Sequence, residues 1–287
     1  MMNKMKILVA YHKEDCMPRE DVFLPIQVGK AISSTNLGIQ GDDDGENIST
    51  KNPYYCELTA MYWAWKNLKG VDIIGLCHYR RYFDFHHQCR PVFSYTSFSS
   101  DDFYNLDFSV NNQIIKRVKD GGIVVARAES LRCTLRQNYC EFHISEDIRT
   151  LESILNKIWD EKYKKSYYKV VESGYKIHPY NMFLMRWEDF NSYCKWLFPL
   201  LEQVEQSIDI SSYSTYQKRI YGFMAERLLN VWLDAEKKYV IESPVILIKD
   251  NNLQNNKIGP RKLFREIRRN AYCRIINNLY KRTHDYL

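Results

Sequence analysis

The chain has 287 residues, of which 45% are hydrophobic and 26% charged, a balance typical of a soluble globular protein and not of a disordered or fibrous one. No apolar run approaches the roughly 18 residues of a membrane-spanning helix. The net charge of +6 is uneven, because residues 257–287 carry nine basic and two acidic side chains while the remaining 256 residues are nearly neutral. A neutral body argues against nucleic-acid binding over a broad basic surface.

Short apolar segments alternate with amphipathic ones along the chain. Strands are predicted over residues 6–11, 71–77, 123–126, 181–185 and 239–248, the last interrupted by Pro244. Helices are predicted from Asn52 to Gly70, around 110–118, over 145–161, in a segment ending near Gly174, over 188–204 and over 213–235. Asn52 is expected as an N-cap, and Pro199 is expected to kink or break its helix. The order predicts an α/β fold with a mostly parallel sheet and helices on both faces.

Polar side chains follow the first two predicted strands. Tyr11, His12 and Lys13 end the first strand, and residues 78–81 (HYRR) follow the second. Ligands of open α/β sheets bind beyond the carboxyl ends of the strands. Adjacent arginines at such a place can clamp a diphosphate through charge-assisted hydrogen bonds. The alternative is that one arginine pairs with a nearby carboxylate and the other is solvated.

An acidic loop at residues 42–49 reads DDDGENIS. Its carboxylates could hold a divalent cation, with Asp42, Asp44 and Glu46 as the candidate ligands. They could equally accept hydrogen bonds from sugar hydroxyls, or the segment could be a solvated turn. The sequence leaves these three interpretations open.

Glu226 lies in an otherwise apolar helical segment, three residues after Phe223 and three before Leu229. This spacing predicts that its carboxylate is partly buried. A buried carboxylate either pairs with a cation such as an arginine or has a functional role. Both interpretations remain open from the sequence.

Four parts of the chain together resemble one protein family. They read DDDGENIS at 42–49, NPYYCELTAMYWAWKN at 52–67, IGLCHYRRYF at 74–83, and HPYNMF at 178–183 with YQKRIYGFMAERLLNVW at 216–232. The family, long labelled a domain of unknown function, is found in bacterial capsule, exopolysaccharide and O-antigen gene clusters. Its characterised members are glycosyltransferases, including galactofuranosyltransferases. The resemblance covers about residues 5–248 and implies a GT-A-like fold, so residues 1–256 are expected to form one such domain, with 257–287 as a basic helical appendage.

The resemblance implies a sugar transfer from a UDP-sugar to a lipid-linked glycan, in capsule, exopolysaccharide or O-antigen synthesis, with galactofuranose as a candidate sugar. The D-x-D metal signature usual in GT-A enzymes is missing, and Cys77-His78-Tyr79 stands at that strand end. No cofactor is therefore assigned, although Mn²⁺ or Mg²⁺ stays open. In place of a metal, His78, Arg80 and Arg81 are expected to stabilise the leaving diphosphate.

The resemblance also divides the candidate site residues into three groups. An inverting transfer needs a base for the acceptor hydroxyl, and Glu226 is the first choice, Asp43 the second and His178 the third. The group expected near the donor, with Gln27 and Gly29 on the loop after the first strand, is Tyr11, His12, Lys13, Gln27, Gly29, His78, Tyr79, Arg80 and Arg81. The group expected near the sugar or the acceptor is Asp42, Asn47, Glu57, Tyr180 and Asn181.

Two other classes of protein remain as alternatives. A sugar-1-phosphate transferase would share the diphosphate clamp but release a nucleoside monophosphate. A non-catalytic protein with a basic tail, binding RNA for example, would show salt-dependent binding to nucleic acid, a partner that is not expected for the preferred interpretation.

The location is predicted from both ends of the chain. The apolar stretch at residues 7–10 is too short for a secretory signal, which favours the cytoplasm. Apolar residues recur near helical spacing among the basic residues of 258–287. Such a helix can lie on an anionic leaflet and would place the protein on the inner face of the plasma membrane. Packing of this helix on the body is the alternative.

Overall fold

The computed structural model describes residues 4–89, 93–158 and 160–250. The strands are β1 Met5–Tyr11, β2 Phe23–Gln27, β3 Gln40–Gly41, β4 Ile73–His78, β5 Arg81–Phe83, β6 Tyr95–Ser99, β7 Gly122–Ala126, β8 Glu129–Ser130, β9 Lys176–Ile177, β10 Phe183–Arg186, β11 Tyr239–Ser243 and β12 Val245–Lys249. The helices are α1 Asn52–Tyr55, α2 Leu58–Asn67, α3 Asn112–Lys119, α4 Leu135–Phe142, α5 Ser145–Ile158, α6 Glu161–Tyr167, α7 Trp187–Ser207 and α8 Ile220–Ala235. A π-helical turn follows α6 at Tyr168–Glu172, and 3-10 turns occupy Lys30–Ile32, Ser49–Lys51, Ser100–Asn105 and Gln217–Arg219.

The main sheet has the strand order β11-β7-β10-β4-β1-β2-β3. Neighbouring strands along this path are parallel except at β10, which runs antiparallel to both β4 and β7. The predicted α/β fold with a mainly parallel sheet is confirmed. Because β10 is reversed, Phe183 at its amino end pairs with Leu76 near the carboxyl end of β4. The loop before β10 therefore reaches the edge where ligands bind in such sheets.

Two apolar cores lie on the two faces of the main sheet. Side chains alternate along β1, so that Leu8 and Ala10 face one core while Ile7 and Val9 face the other. The first core is covered by α2, α7 and α8 together with the shorter helices. On the second face α3 packs beside a smaller β layer, in which β12 pairs with β5 and β6. Helices therefore cover both faces, as predicted, but unevenly.

The segment predicted as one helix from Asn52 to Gly70 is two helices. Cys56 has φ +53° and breaks the helix, so α1 ends at Tyr55 and α2 begins at Leu58. Asn52 is the first residue of α1 and not its N-cap, which is Lys51, and the Asn52 amide donates to the carbonyl of Cys56 at 2.8 Å. The break turns Glu57 out of the regular helix.

Two prolines, Pro199 and Pro244, were expected to interrupt their elements, and they behave differently. Helix α7 continues through Pro199, so of the predicted kink or break the break does not occur. Pro199 lies on the exposed side of the helix, between the buried residues Phe198 and Leu200. Pro244 does divide its segment, as predicted: β11 joins the main sheet and β12 joins the smaller layer. A strand residue without an N–H group suits this crossing between layers.

The strand β2 and the small layer were not predicted. Residues 23–27 include Pro25, which weakens the strand pattern, yet they pair in parallel with β1. The predicted basic helix at 257–287 lies outside the described residues. Among the helices that are described, none combines the length and the apolar character needed to cross a membrane.

Candidate active site

Side chains from five parts of the chain meet at the carboxyl edge of the main sheet. They come from the end of β4, the start of β5, the loop before β10, the α1–α2 junction, and α8 with the 3-10 turn that precedes it. The members of this group are His78, Arg81, Tyr180, Asn181, Glu57, Arg219 and Glu226. All but Arg219 were expected near the site from the sequence.

Tyr180 connects β4 with α8 through its backbone. The imidazole of His78 donates from Nε2 to the carbonyl oxygen of Tyr180 at 2.6 Å. The backbone N–H of Tyr180 donates to Glu226 Oε1 at 2.7 Å. One residue of the loop thus sets the positions of an imidazole on the sheet and a carboxylate on the helix.

Asn181 connects the α1–α2 junction with α8. Its buried side-chain amide donates to Glu57 Oε1 at 2.6 Å and to the carbonyl of Gly222 at 3.2 Å. A Cβ on Gly222 would lie 3.2 Å from Cys56 Sγ, so glycine permits α8 to approach the junction closely. These contacts hold Glu57 and the first turns of α8 side by side.

Backbone strain is concentrated at this junction. Cys56, Tyr180 and Asn181 have φ values of +53°, +77° and +54°, in the region that non-glycine residues rarely adopt. Each such residue costs of order 1–3 kcal/mol and persists because surrounding contacts hold it. Here those contacts are the hydrogen bonds that bring Glu57 and Glu226 together.

Glu226 opens into the site from a helix that is otherwise buried. Between Ile220 and Leu233, only Phe223 and Glu226 are not buried. The Glu226 side chain is 26% exposed, and Arg227 contacts its second oxygen at 3.2 Å. The predicted partial burial is confirmed. Burial raises the pKa of Glu226, and the charge of Arg227 and the N–H of Tyr180 offset only part of the increase.

Glu57 is a second carboxylate beside Glu226, close enough that its charge adds to the raised pKa of Glu226. It also acts on His78. Burial lowers the pKa of His78, the Glu57 carboxylate opposes this shift, and the positive charges of Arg81 and Arg219 add to it. His78 is therefore neutral at physiological pH and can donate a hydrogen bond from Nε2 only.

The two adjacent arginines differ in their partners. Arg80 donates from Nε to Asp15 at 2.8 Å and from Nη1 to Asp250 at 2.9 Å, so its charge is neutralised on both sides. The expectation that Arg80 binds the diphosphate is corrected: the carboxylate-pair alternative holds for it. Arg81 instead lies over the ring of Tyr180, 4.8 Å from its centre, and forms no ion pair with another residue of the described ranges.

Arg219 is a cation that the sequence analysis did not identify. It is exposed, its Nε donates to Cys56 Sγ at 3.2 Å, and its charge contributes to lowering the pKa of His12 and of His78. Arg219 therefore lies between the ends of β1 and β4. The sequence feature that could have identified Arg219 is its position seven residues before Glu226, a spacing that places both residues on one side of a helix.

The residues after β1 separate into core and surface. Tyr11 is fully buried, and its hydroxyl bonds with the carbonyl of Cys16 at 2.8 Å and with the Tyr82 hydroxyl at 3.1 Å. Its expected role in contacting the donor is therefore corrected to a core role. His12 and Lys13 are exposed and lie against Tyr79, with 5.0 Å between the His12 and Tyr79 ring centres.

Gln27 and Gly29 shape loops. Gln27 ends β2 and is not on a loop; its buried amide donates to the carbonyl of Thr35 at 2.6 Å and accepts from the N–H of Leu37 at 2.9 Å. Gly29 has φ +66°, and a Cβ there would lie within 2.9 Å of the Asn52 side chain. Both expected donor contacts are corrected, because the Gln27 amide is used internally and the N–H of the buried Gly29 donates to Asp42.

Asp42 organises the acidic loop from inside. It has no exposed surface and accepts hydrogen bonds from the N–H groups of Gly29 and Lys30, at 2.9 and 3.1 Å, and from the hydroxyls of Ser49 and Thr59. A carboxylate with these four donors has no free face for a sugar or a metal. The expectation of a ligand contact at Asp42 is corrected to a structural role.

The other polar residues of the loop point to different partners. Asp44 accepts from the Trp63 indole, Glu46 pairs with Lys66 at 2.7 Å, and the Asn47 amide donates to the Asp43 carbonyl. The candidate metal ligands Asp42, Asp44 and Glu46 are thus not gathered. Across residues 4–89, 93–158 and 160–250, no three His, Cys, Asp or Glu side chains form a group that fits a metal ion. Asn47 likewise serves the loop itself, and Asp43 remains exposed.

His178 lies on the other side of β10 from His78. Its Nδ1 donates to the carbonyl of Ala126, at the end of β7, at 2.9 Å. Glu242 of β11 is 3.9 Å away, and burial lowers the pKa of His178. These contacts place the His178 ring beside the ends of β7 and β11.

A surface cleft of about 400 Å³ lies at the opposite edge of the sheet. It is lined by residues at the amino end of β4 and the carboxyl end of β10, namely Val71, Asp72, Ile73, Lys119, Arg186, Trp187 and Glu188. The carboxyl edge described above is the better candidate, because ligands of such sheets bind there and the strained residues gather there.

Comparisons with known proteins agree with this fold. The structure is similar to the apo structure of WbbM, described as a bifunctional glycosyltransferase, with a TM-score of 0.78 and 30% sequence identity over 86% of this chain. The match spans 46% of the WbbM chain, so this protein corresponds to about half of it. No curated protein sequence matches. Residues 6–238 match the model of a domain of unknown function, DUF4422, and because this is most of the chain, the protein belongs to that family.

Proposed function

We propose that this protein is a glycosyltransferase that moves a sugar from a UDP-sugar to a glycan acceptor. The observation that supports it most is the meeting of two cations, Arg81 and Arg219, with two carboxylates, Glu57 and Glu226, at the carboxyl edge of the sheet. The fold supports the same activity, because WbbM is described as a bifunctional glycosyltransferase.

On the donor side, Arg81 and Arg219 would hold the diphosphate in place of Arg80. Both guanidinium groups can donate charge-assisted hydrogen bonds to phosphate oxygens. Lys13 adds a third cation, and the ring of Tyr79 beside it offers a stacking surface for the base. His78 donates to Tyr180 and so positions the loop instead of binding phosphate.

On the acceptor side, Glu226 would act as the base. Its carboxylate takes the proton from the acceptor hydroxyl as the hydroxyl oxygen attacks the anomeric carbon. The bond from that carbon to the diphosphate breaks, and Arg81 and Arg219 stabilise the negative charge that develops on the leaving nucleoside diphosphate. The raised pKa of Glu226 makes it a better proton acceptor than an exposed carboxylate. Its position favours it over Asp43 in the acidic loop and His178 beside β7.

The finer assignments rest on the family resemblance. They are a galactofuranose donor, a lipid-linked acceptor, a role in capsule, exopolysaccharide or O-antigen synthesis, and a place at the cytoplasmic face of the membrane.

The acidic loop does not supply ligands for a metal, and the two arginines provide the positive charge that a metal would otherwise bring to the diphosphate.

A product assay with a panel of UDP-sugars tests the proposal. We expect release of UDP, whereas release of UMP would favour a sugar-1-phosphate transferase. Activity should survive EDTA, and a loss that Mn²⁺ restores would contradict the proposed role of the arginines. No UDP-sugar binding by thermal shift, together with salt-dependent binding of RNA, would favour the non-catalytic alternative.

The role of Glu226 is tested by Glu226→Gln. The variant should bind UDP as the wild type does and lose turnover by a factor of roughly 100 or more, in line with loss of a general base. Glu236→Gln, at the far end of α8, is the matched control and should keep its turnover. Unchanged turnover in Glu226→Gln would remove Glu226 from the role, and Glu57→Gln then tests the second carboxylate.

A further inference from the structure

The partly exposed side of α8 extends from the proposed base, Glu226, toward the start of the helix. Arg219, Phe223 and Glu226 are spaced by four and three residues, so they lie on one side of the helix. Phe223 and Glu226 are the two residues between Ile220 and Leu233 that are not buried. Phe223 is thus separated from the proposed base by about one helical turn, roughly 5 Å of rise.

An aromatic cluster surrounds Phe223. The His143 ring stacks on Phe223, with 4.0 Å between ring centres and 23° between planes, and on Tyr216 at 5.8 Å and 21°. Tyr216 and Phe223 are 5.2 Å apart. These three neighbouring rings, His143, Tyr216 and Phe223, form what we call the aromatic platform.

The platform is open to solvent and adjoins the site. Tyr216 is 51% exposed, an unusual value for a large aromatic side chain. The guanidinium of Arg219 lies 5.6 Å from the centre of the Phe223 ring, and the same residue contacts Cys56 next to Glu57. The platform therefore continues directly from the proposed diphosphate clamp and base.

The histidine in the platform is uncharged. Burial and the charge of Arg227 lower the pKa of His143 to about 4. Its ring therefore acts as a flat neutral surface near pH 7. Its buried Nδ1 has no hydrogen-bond partner within the described part of the chain.

We propose that the aromatic platform is an acceptor subsite, which binds the apolar C–H face of a sugar ring in the acceptor glycan. This rests on the proposed function. Aromatic faces stack on the apolar face of a sugar ring while its hydroxyls remain in contact with water and with polar side chains. Arg219 and Gln217 supply polar groups at the margin, the latter held by its bond to the Phe142 carbonyl at 3.0 Å. In a glycan bound here, the hydroxyl that receives the transferred sugar faces Glu226.

Sugar binding is measured first, without donor or turnover. Saturation-transfer difference NMR is recorded with methyl glycosides of galactose, glucose, mannose, N-acetylglucosamine and rhamnose. We expect signals from the ring C–H protons of at least one glycoside, and their loss in Tyr216→Ala and Phe223→Ala. Tyr216→Phe, which keeps the ring, should keep the signals. Tyr168→Ala removes a surface aromatic that is 67% exposed and lies outside the platform, and should change nothing.

Kinetics then separate this inference from the proposed function. With the acceptor glycan of a productive assay, Tyr216→Ala should raise the acceptor KM by roughly 2- to 10-fold, the range of one aromatic contact. The KM for the UDP-sugar should stay constant. If no transfer is found at all, the proposed function fails while NMR still tests sugar binding by the platform. Absence of sugar signals in the wild type, or signals and acceptor KM in Tyr216→Ala and Phe223→Ala equal to those of Tyr168→Ala, would overturn the inference.

Discussion

At the scale of single residues, Arg80 and Arg81 show how neighbours in sequence divide into a structural and a ligand-facing role. β5 begins at Arg81, so successive side chains point to opposite sides of the strand. One guanidinium lies between Asp15 and Asp250, and the other lies over Tyr180 beside the carboxylates of the site. Two adjacent arginines in a sequence therefore need not both bind a ligand.

Substitution of each arginine by glutamine should separate these roles. Arg81→Gln should weaken UDP binding by roughly 10- to 100-fold, because it removes a charge-assisted contact to phosphate. Arg80→Gln should leave UDP affinity within about threefold but lower the free energy of unfolding by about 1–3 kcal/mol, because the nearly buried carboxylate of Asp15 loses its partner. Calorimetric titration with UDP and urea unfolding measure the two effects. Equal losses of affinity would contradict the division.

The raised pKa of Glu226 predicts how stability depends on pH. The folded protein holds this proton more tightly than the unfolded chain, whose glutamate titrates near the ordinary value of 4.5. The free energy of unfolding of the wild type therefore decreases as the pH rises from about 4.5, the pKa of the unfolded chain, to the higher pKa of Glu226 in the folded protein. Above that pKa, Glu226 causes no further decrease. Glu226→Gln lacks this titration. Its Tm should match the wild type near pH 4 and exceed it near pH 8.

Thermal unfolding of both proteins across that range measures the difference, with Glu202→Gln, at an exposed position of α7, as the control. A Tm difference between Glu226→Gln and the wild type that shrinks as pH rises would contradict the raised pKa. A gain in stability together with lost turnover would identify Glu226 as a residue kept for function at a cost in stability.

At the scale of elements, the acidic loop is a brace between β3 and α2. Asp42 joins the N–H groups of Gly29 and Lys30 to the hydroxyls of Ser49 and Thr59. Because the carboxylate collects four donors from three segments, its charge organises the loop and is not available for a ligand. Contacts within the protein therefore account for Asp42, Asp44 and Glu46, while Asp43 stays exposed.

Asp42→Asn and Asp43→Asn form a matched pair for this loop. The amide introduced by Asp42→Asn would turn an NH₂ group toward donors, so we expect a loss of about 2–4 kcal/mol in the free energy of unfolding. The same change at the exposed Asp43 should stay within about 0.5 kcal/mol. Urea denaturation measures both. A similar loss in the two variants would show that the loop responds to its total charge and not to the buried hub.

The elements that were predicted correctly have local signals. The apolar runs of β1, β4 and β7 and the helical spacing around Glu226 can be recognised within a dozen residues. Features that depend on distant partners were missed or misassigned: Arg80 bonds to Asp250, 170 positions away, and Tyr11 pairs with Tyr82. The acidic loop was ambiguous for the same reason, since its donors come from other segments.

At the scale of the whole molecule, the basic segment at 258–287 still predicts membrane docking. Each basic residue near an anionic surface contributes roughly 1 kcal/mol. The full chain should therefore sediment with vesicles containing phosphatidylglycerol, in a salt-dependent manner, and not with pure phosphatidylcholine. A chain lacking 258–287 should remain in solution with an unchanged Tm. Retained binding to the anionic vesicles would contradict docking, and a lowered Tm would favour packing of the segment on the body.

The crossing at Pro244 has a consequence for how the protein is made. β12 is the last described strand, yet it pairs with β5 and β6 from the first hundred residues. On the ribosome, β5, which begins with Arg81, therefore waits for this pairing until residue 249 has emerged. The family match ends at residue 238, so a chain cut at that boundary would lose both β11 and β12. It would expose open strand edges, and aggregation during synthesis is the expected result.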